Sequence, residues 1–130
     1  MQASMTRPPW RPGSWISNRE HFVRRSIRIT LSAQQDILAI RRWTRQHFGS
    51  HQARTYARTL TLALQALHDG THIPGAKRRE DLGPVIHVLH VARQGRRGAH
   101  FIVFRQSGKH RIDVLRILHE SMDLARQVEA

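Results

Sequence analysis

The sequence has no cysteine, which excludes disulfides and thiolate metal sites and points to a reducing, cytoplasmic setting. It has no apolar run near the roughly 18–20 residues a bilayer span requires. Residues 1–22 carry Arg7, Arg11 and Arg19 but no apolar centre, so they do not resemble a secretory signal. Acidic residues are scarce: nine Asp and Glu face 22 Lys and Arg, only two of them lysine, and the formal net charge is +13. Such an excess sets up a long-range field that attracts polyanions or acidic protein segments. No basic amphipathic stretch is isolated enough to form a membrane-surface helix, so no membrane partner is expected.

A chain of 130 residues supports one hydrophobic core. Pro8, Pro9, Pro12 and Gly13 oppose regular structure and predict a disordered or loosely docked extension over residues 1–22, with Trp10 and Trp15 in it, ahead of a single domain over 23–130. From Val23, the apolar residues Val23, Ile27, Ile29 and Leu31 alternate with Arg24, Ser26, Arg28 and Thr30, the period of a half-buried strand. Ser32 and Gln35 have the spacing of a capping box and predict a helix whose apolar face holds Ile37, Ile40, Thr44 and Phe48, supported by Leu38 and Trp43, up to a stop at Gly49. A second helix follows from Ser50, with Ala53, Tyr56, Ala57, Leu60, Ala63, Leu64 and Leu67 forming its stripe before Asp69 and Gly70. Two residues between the helices leave room only for a helical hairpin or a sharply angled pair.

Residues 69–84, rich in Gly and Pro around Lys77, Arg78 and Arg79, predict a loop. The runs VIHVLHVA (85–92), HFIVFR (100–105) and RIDVLRILH (111–119) predict three strands joined by glycine-containing hairpins, and residues 122–128 a short last helix. The expected fold is α+β in the order β-α-α-β-β-β-α, a helical hairpin packed on a small antiparallel sheet. Arg116 interrupts the most apolar of these strands. A sheet with one face partly uncovered can place it outward, where its charge could meet a partner.

Three stretches resemble the RelE/ParE superfamily of toxins from bacterial type II toxin-antitoxin systems, nearer the ParE branch. LALQALHDGTHIPGAKRREDL is similar to the family's helix and following basic loop, GRRGAHFIVFR to its hairpin and strand, and VLRILHESMD to its ending, at Val114, Arg116, Ile117, Leu118, His119, Met122 and Asp123. The resemblance spans about residues 24–128. Ala99 stands where the family commonly has arginine, and Phe104 where it commonly has tyrosine.

The ParE resemblance implies a toxin that binds DNA gyrase and traps its cleavage complex, neutralised by a ParD-like or similar antitoxin on a separate chain; it implies no cofactor. Arg41, Arg42, Arg45, Arg54 and Arg58 lie off the apolar stripes and are candidates for antitoxin binding, with apolar anchors supplying affinity and charge supplying rate. Lys77, Arg78, Arg79, Arg96, Arg97, Arg105 and Arg116 are candidates for target or nucleic-acid binding. The RelE resemblance implies instead a ribosome-dependent messenger RNA endonuclease, in which Arg105 and Arg116 would stabilise phosphorane charge and His100 or His119 would move protons. A third possibility is a toxin fold without activity that binds only its antitoxin. Ten histidines raise the question of metal, but His87 and His90 fall on opposite faces of a strand and no carboxylate cluster completes a ligand set. A helix-turn-helix DNA reader is disfavoured because the second helix is a core-facing stripe.

Overall fold

The computed structural model describes residues 24–129, so Val23 and the extension predicted for residues 1–22 lie outside the described residues. β1 (Ser26–Ile29) buries Ile27 and Ile29 against the core and turns Ser26 and Arg28 the other way. At its end Thr30 Oγ1 accepts from Ala33 N at 3.2 Å and donates to the Leu115 carbonyl at 3.1 Å. Thr30 is therefore the helix cap, two residues before the predicted capping box at Ser32. It wins because one hydroxyl both caps the helix and ties it to the sheet.

The stretch Leu31–Ala66 is helical except at Gly49, whose φ of 89° and ψ of 172° divide it into α1 (31–48) and α2 (50–66). Only glycine adopts such a conformation at little cost, so the sequence signal for a break is a backbone requirement. The pair closes with a 3-10 turn at Leu67–Asp69.

The remaining strands are β2 (Lys77–Arg78), β3 (Ile86–His90), β4 (His100–Ser107) and β5 (Arg111–His119), and the sheet order is β1-β5-β4-β3-β2. The α+β class and the predicted order of elements stand, with two corrections. β1 joins β5 in parallel, so the sheet is mixed rather than antiparallel; the helical pair and the β-strands between them form a connection long enough for a parallel return. β2 replaces part of the predicted loop, pairing Lys77 with Val88 and Arg78 with His87. Two exposed basic residues carry no apolar alternation to signal a strand.

The sheet has a core on each face. On the inner face Leu60, Ala63 and Leu67 pack against Leu89, Ile102, Phe104, Ile112, Val114 and Ile117. On the outer face Leu82, Ile86, Val88, Val103 and Leu118 are covered by Leu124 of the short helix α3 (Leu124–Glu129). The register passes from Phe104 opposite Val114 to Val103 opposite Arg116, which makes Leu115 a bulge. The extra residue lets Val114 and Ile117 both face inward although they are three apart, which explains the crowding of apolar residues in this strand.

Arg116 shares the outer face with Val103, as expected, but it is not held out to a partner. Its guanidinium grips Asp36 of α1, Nε to Oδ2 at 2.8 Å and Nη2 to Oδ1 at 3.0 Å, while Asp36 Oδ2 also accepts from Ile117 N at 2.9 Å. Nη1 reaches the Gln127 carbonyl of α3 at 3.4 Å. The hydrogen bonds to Asp36 hold the Arg116 pKa above its usual value. One arginine thus joins α1, the edge of β5 and α3. Asp36→Ala should cost about 1–3 kcal/mol, because it leaves a partly buried cation without its partner and frees a backbone amide. Urea unfolding of Asp36→Ala, Arg116→Ala and the double variant should give a coupling energy of at least about 1 kcal/mol; additive effects would show that the pair is not a clamp.

Candidate functional site

A cleft of about 970 Å³ opens between α1, α2, the β3–β4 connection and the end of β5. Its walls come from a division of labour along α1: Ala33, Ile37, Ile40 and Thr44 turn toward the core, whereas Trp43 and Phe48 are 52% and 63% exposed. Phe48, predicted on the core face, instead lines the cleft and meets Trp43 edge-on at 5.7 Å. Met122, 46% exposed, completes the apolar wall from the far side.

The polar floor is built from paired strands. His100 and His119 are register partners on β4 and β5, with ring centroids 5.2 Å apart and edge-on. Tyr56 Oη accepts from Ala99 N at 2.9 Å and shares a 2.7 Å hydrogen bond with His100 Nδ1, which ties α2 to the start of β4. Burial, followed by the nearby His119, pushes the His100 pKa down to about 4, and burial raises that of Tyr56. His119 Nδ1 accepts from Ser121 N at 3.0 Å and sits 2.7 Å from Ser121 Oγ. The close approach of the β3–β4 connection needs Gly98, where a Cβ would fall 2.4 Å from Val91 Cγ2. Arg96 pins this connection to α2, donating to Thr59 Oγ1 at 2.9 Å and to the Thr55 carbonyl at 3.2 Å, and Arg97 is exposed on the cleft wall.

The four residues considered for RNA cleavage do not converge. His100 and His119 are on the cleft floor, Arg116 is bound to Asp36, and Arg105 lies five residues farther along β4, about 17 Å from His100 at the usual strand rise. Arg105 belongs to a separate cluster with Arg28, Arg111 and the buried Asp113. Arg78 and Arg79 pair with Glu80 and Asp81, while Lys77 is exposed. Arg41, Arg42, Arg45 and Arg54 line a second, smaller groove between α1 and α2 of about 390 Å³, and Arg58 is exposed outside it. Among the described residues no group of three His, Asp or Glu is placed to hold a metal ion.

The sequence pattern missed the cleft roles of Trp43 and Tyr56 and the anchoring roles of Asp36 and Asp113. Trp43 carried a detectable signal, a large aromatic one step off the core stripe.

The low pKa of His100 has a sign that can be tested. The ring binds a proton more readily in the unfolded chain than in the fold, so its contribution to stability is present above about pH 6.5 and is lost as pH falls toward 4. For a partly exposed ring screened by solvent, the loss should be about 1–2 kcal/mol. Thermal unfolding followed between these limits should show less acid destabilisation in His100→Asn than in the parent; equal slopes would remove His100 as the cause.

Residues 27–124 match the family described as ParE toxin of type II toxin-antitoxin system, parDE. The fold is similar to that in the chromosomal ParDE toxin-antitoxin system of P. aeruginosa, with a TM-score of 0.60 at 23% identity, covering 73% of this chain and 95% of that one. It is also similar to a chain of the RelBE2 toxin-antitoxin complex of Mycobacterium tuberculosis, with a TM-score of 0.50 at 18% identity, covering 75% of this chain and 99% of that one. No curated protein matches the chain significantly. With the family match spanning most of the domain and its fold shared by both structures, the chain belongs to the ParE toxin family of type II toxin-antitoxin systems.

Proposed function

We propose that this ParE-family toxin acts in the cytoplasm by binding DNA gyrase, not by cutting RNA, and that a cognate antitoxin silences it by filling the apolar cleft. The observation that carries the choice of mechanism is the dispersal of the nuclease candidates. Phosphoryl transfer needs acid-base and charge-stabilising groups within reach of one phosphate. His100 and His119 stand about 17 Å from Arg105, and the Arg116 guanidinium is occupied by Asp36. His100 Nδ1 faces the Tyr56 hydroxyl, and with a pKa of about 4 the ring is neutral at physiological pH, which suits a structural floor better than a general acid.

For the antitoxin, the support is an apolar cleft walled by Trp43, Phe48 and Met122, the kind of surface an amphipathic helix fills. Arg41, Arg42, Arg45 and Arg54 line the neighbouring groove on the same helical pair, where they would steer an acidic partner. Both structural neighbours come from toxin-antitoxin systems.

Purified protein added to gyrase, ATP and relaxed plasmid should block supercoiling and accumulate cleaved DNA, and induced cells should lose DNA synthesis before protein synthesis. Unimpaired gyrase with early loss of protein synthesis would transfer the function to the endonuclease reading; no growth arrest at all would leave an inactive antitoxin binder. Trp43→Ala and Phe48→Ala should each weaken antitoxin binding by roughly 10–30-fold, the range for a buried aromatic anchor. Calorimetric titration with the antitoxin checks this, and unchanged affinity in both variants would place the antitoxin elsewhere.

A further inference from the structure

The outer face of the sheet is covered at one end by α3 and open at the other. In the open part, Arg28 of β1 and Arg105 of β4 flank Asp113 of β5 as its register partners, and Arg111 lies two residues before Asp113 on the same face. The Asp113 side chain is 1% exposed, whereas those of Arg28, Arg105 and Arg111 are 56%, 47% and 48% exposed. Arg28 Nε donates to Asp113 Oδ1 at 3.1 Å, Arg111 Nε lies 3.1 Å from the same oxygen, and Arg105 Nε is 3.8 Å from Oδ2. Asp113 Oδ2 is buried and has no hydrogen-bond partner.

This arrangement is poor as a stability device and good as a binding surface. One carboxylate cannot neutralise three guanidiniums, so the cluster keeps a surplus of two positive charges. Contact through Nε holds Arg28 and Arg111 at the base of their guanidinium groups and leaves terminal nitrogens for other acceptors; one of these, Arg111 Nη2, donates to Ser107 Oγ at 3.0 Å. Oriented guanidiniums bind phosphate and carboxylate through paired donors.

The surroundings choose between these anions. A protein interface gains its affinity from buried apolar or aromatic anchors, with charge at its rim. Among the described residues the large exposed apolar ones are Leu31, Leu38, Trp43, Phe48, Val85 and Met122, and none lies on β1, β4 or β5. Charge without an exposed apolar centre suits a phosphodiester backbone. The absence of an exposed aromatic on these strands also removes base stacking, so recognition would follow the backbone and not the sequence.

We propose that Arg28, Arg105 and Arg111, seated on the buried carboxylate of Asp113, form a phosphate-binding platform for a nucleic-acid backbone on the open half of the outer face. The platform goes beyond the gyrase reading and does not depend on it, because it binds nucleic acid with no gyrase present.

The test is fluorescence anisotropy of the full chain with a labelled single-stranded DNA of mixed sequence, and with the RNA of the same sequence, across a salt series. Each phosphate contact contributes about 0.7 to the slope of log affinity against log salt on a single strand. Arg105→Gln, which breaks no hydrogen bond to Asp113, should lower affinity roughly three- to tenfold and flatten the slope by about 0.7 on both nucleic acids. Arg111→Gln should do the same, and it retains the Arg28 hydrogen bond if the first variant proves unstable by thermal melting. Arg126→Gln, on α3, makes the same change in charge and should have a much smaller effect. Equal losses in all three variants would reduce the effect to net charge and overturn the platform, as would failure of the parent to bind at low salt. If a poly-glutamate peptide binds more tightly than either nucleic acid with the same dependence on Arg105 and Arg111, the surface serves an acidic protein and the nucleic-acid assignment is wrong. Since gyrase is absent throughout, retained binding by a chain that leaves gyrase unaffected would refute only the gyrase reading.

Discussion

The contact between Arg116 and Asp36 sets the position of the helical pair, and most of the functional geometry depends on it. β1 covers β5 only along residues 111–114, so from Leu115 onward β5 is a sheet edge with backbone groups seeking partners. Thr30 accounts for the Leu115 carbonyl and Asp36 for the Ile117 amide, both from the segment that starts α1. A carboxylate used this way needs a cation, and Arg116 supplies it from the residue next to the amide. The same guanidinium touches α3, so the inner and outer layers are referenced to one point. Farther along the same helix, Trp43 and Phe48 stand on the cleft wall.

β4 and β5 distribute chemistry to opposite ends. At one end His100 and His119 face each other below the cleft; at the other Arg105 and Asp113 face each other beneath the open outer surface. The bulge at Leu115 lies between them and returns Ile117 to the inner core after Val114. Without that extra residue, the alternation along β5 would place either the apolar pair or the charged pair on the wrong face. The arrangement therefore keeps the histidine floor of the cleft apart from a strongly cationic surface within a single small sheet.

Much of the fold could be read from the chain. The stripe through Leu60, Ala63 and Leu67, the glycine break at Gly49 and the three long β-branched runs are local signals, and local periodicity governs them. The parallel pairing of β1, the bulge and the short β2 depend on backbone bonds between residues distant in sequence, which leave no period behind. The site was less legible for the same reason. Arg105 stood out through the resemblance of its strand to the family's, but its relation to Arg28 and Arg111 exists only through the register with Asp113. Phe48 fitted the helical face by spacing, yet it lines the cleft and is left exposed there.

Two carboxylates show how the scarcity of acidic residues shapes this molecule. Asp36 meets one guanidinium with both oxygens and adds a backbone amide; its charge is matched and its hydrogen bonds are used, so the product is a structural joint. Asp113 meets three guanidiniums, and one of its oxygens is left without a donor. Its product is a set of oriented cations whose charge is only partly cancelled. The residue types and the mixed sheet are common to both; the ratio of arginine to carboxylate differs. In a chain with so few acidic groups, that ratio separates Arg116, which holds the fold together, from Arg28, Arg105 and Arg111, which keep charge available at the surface.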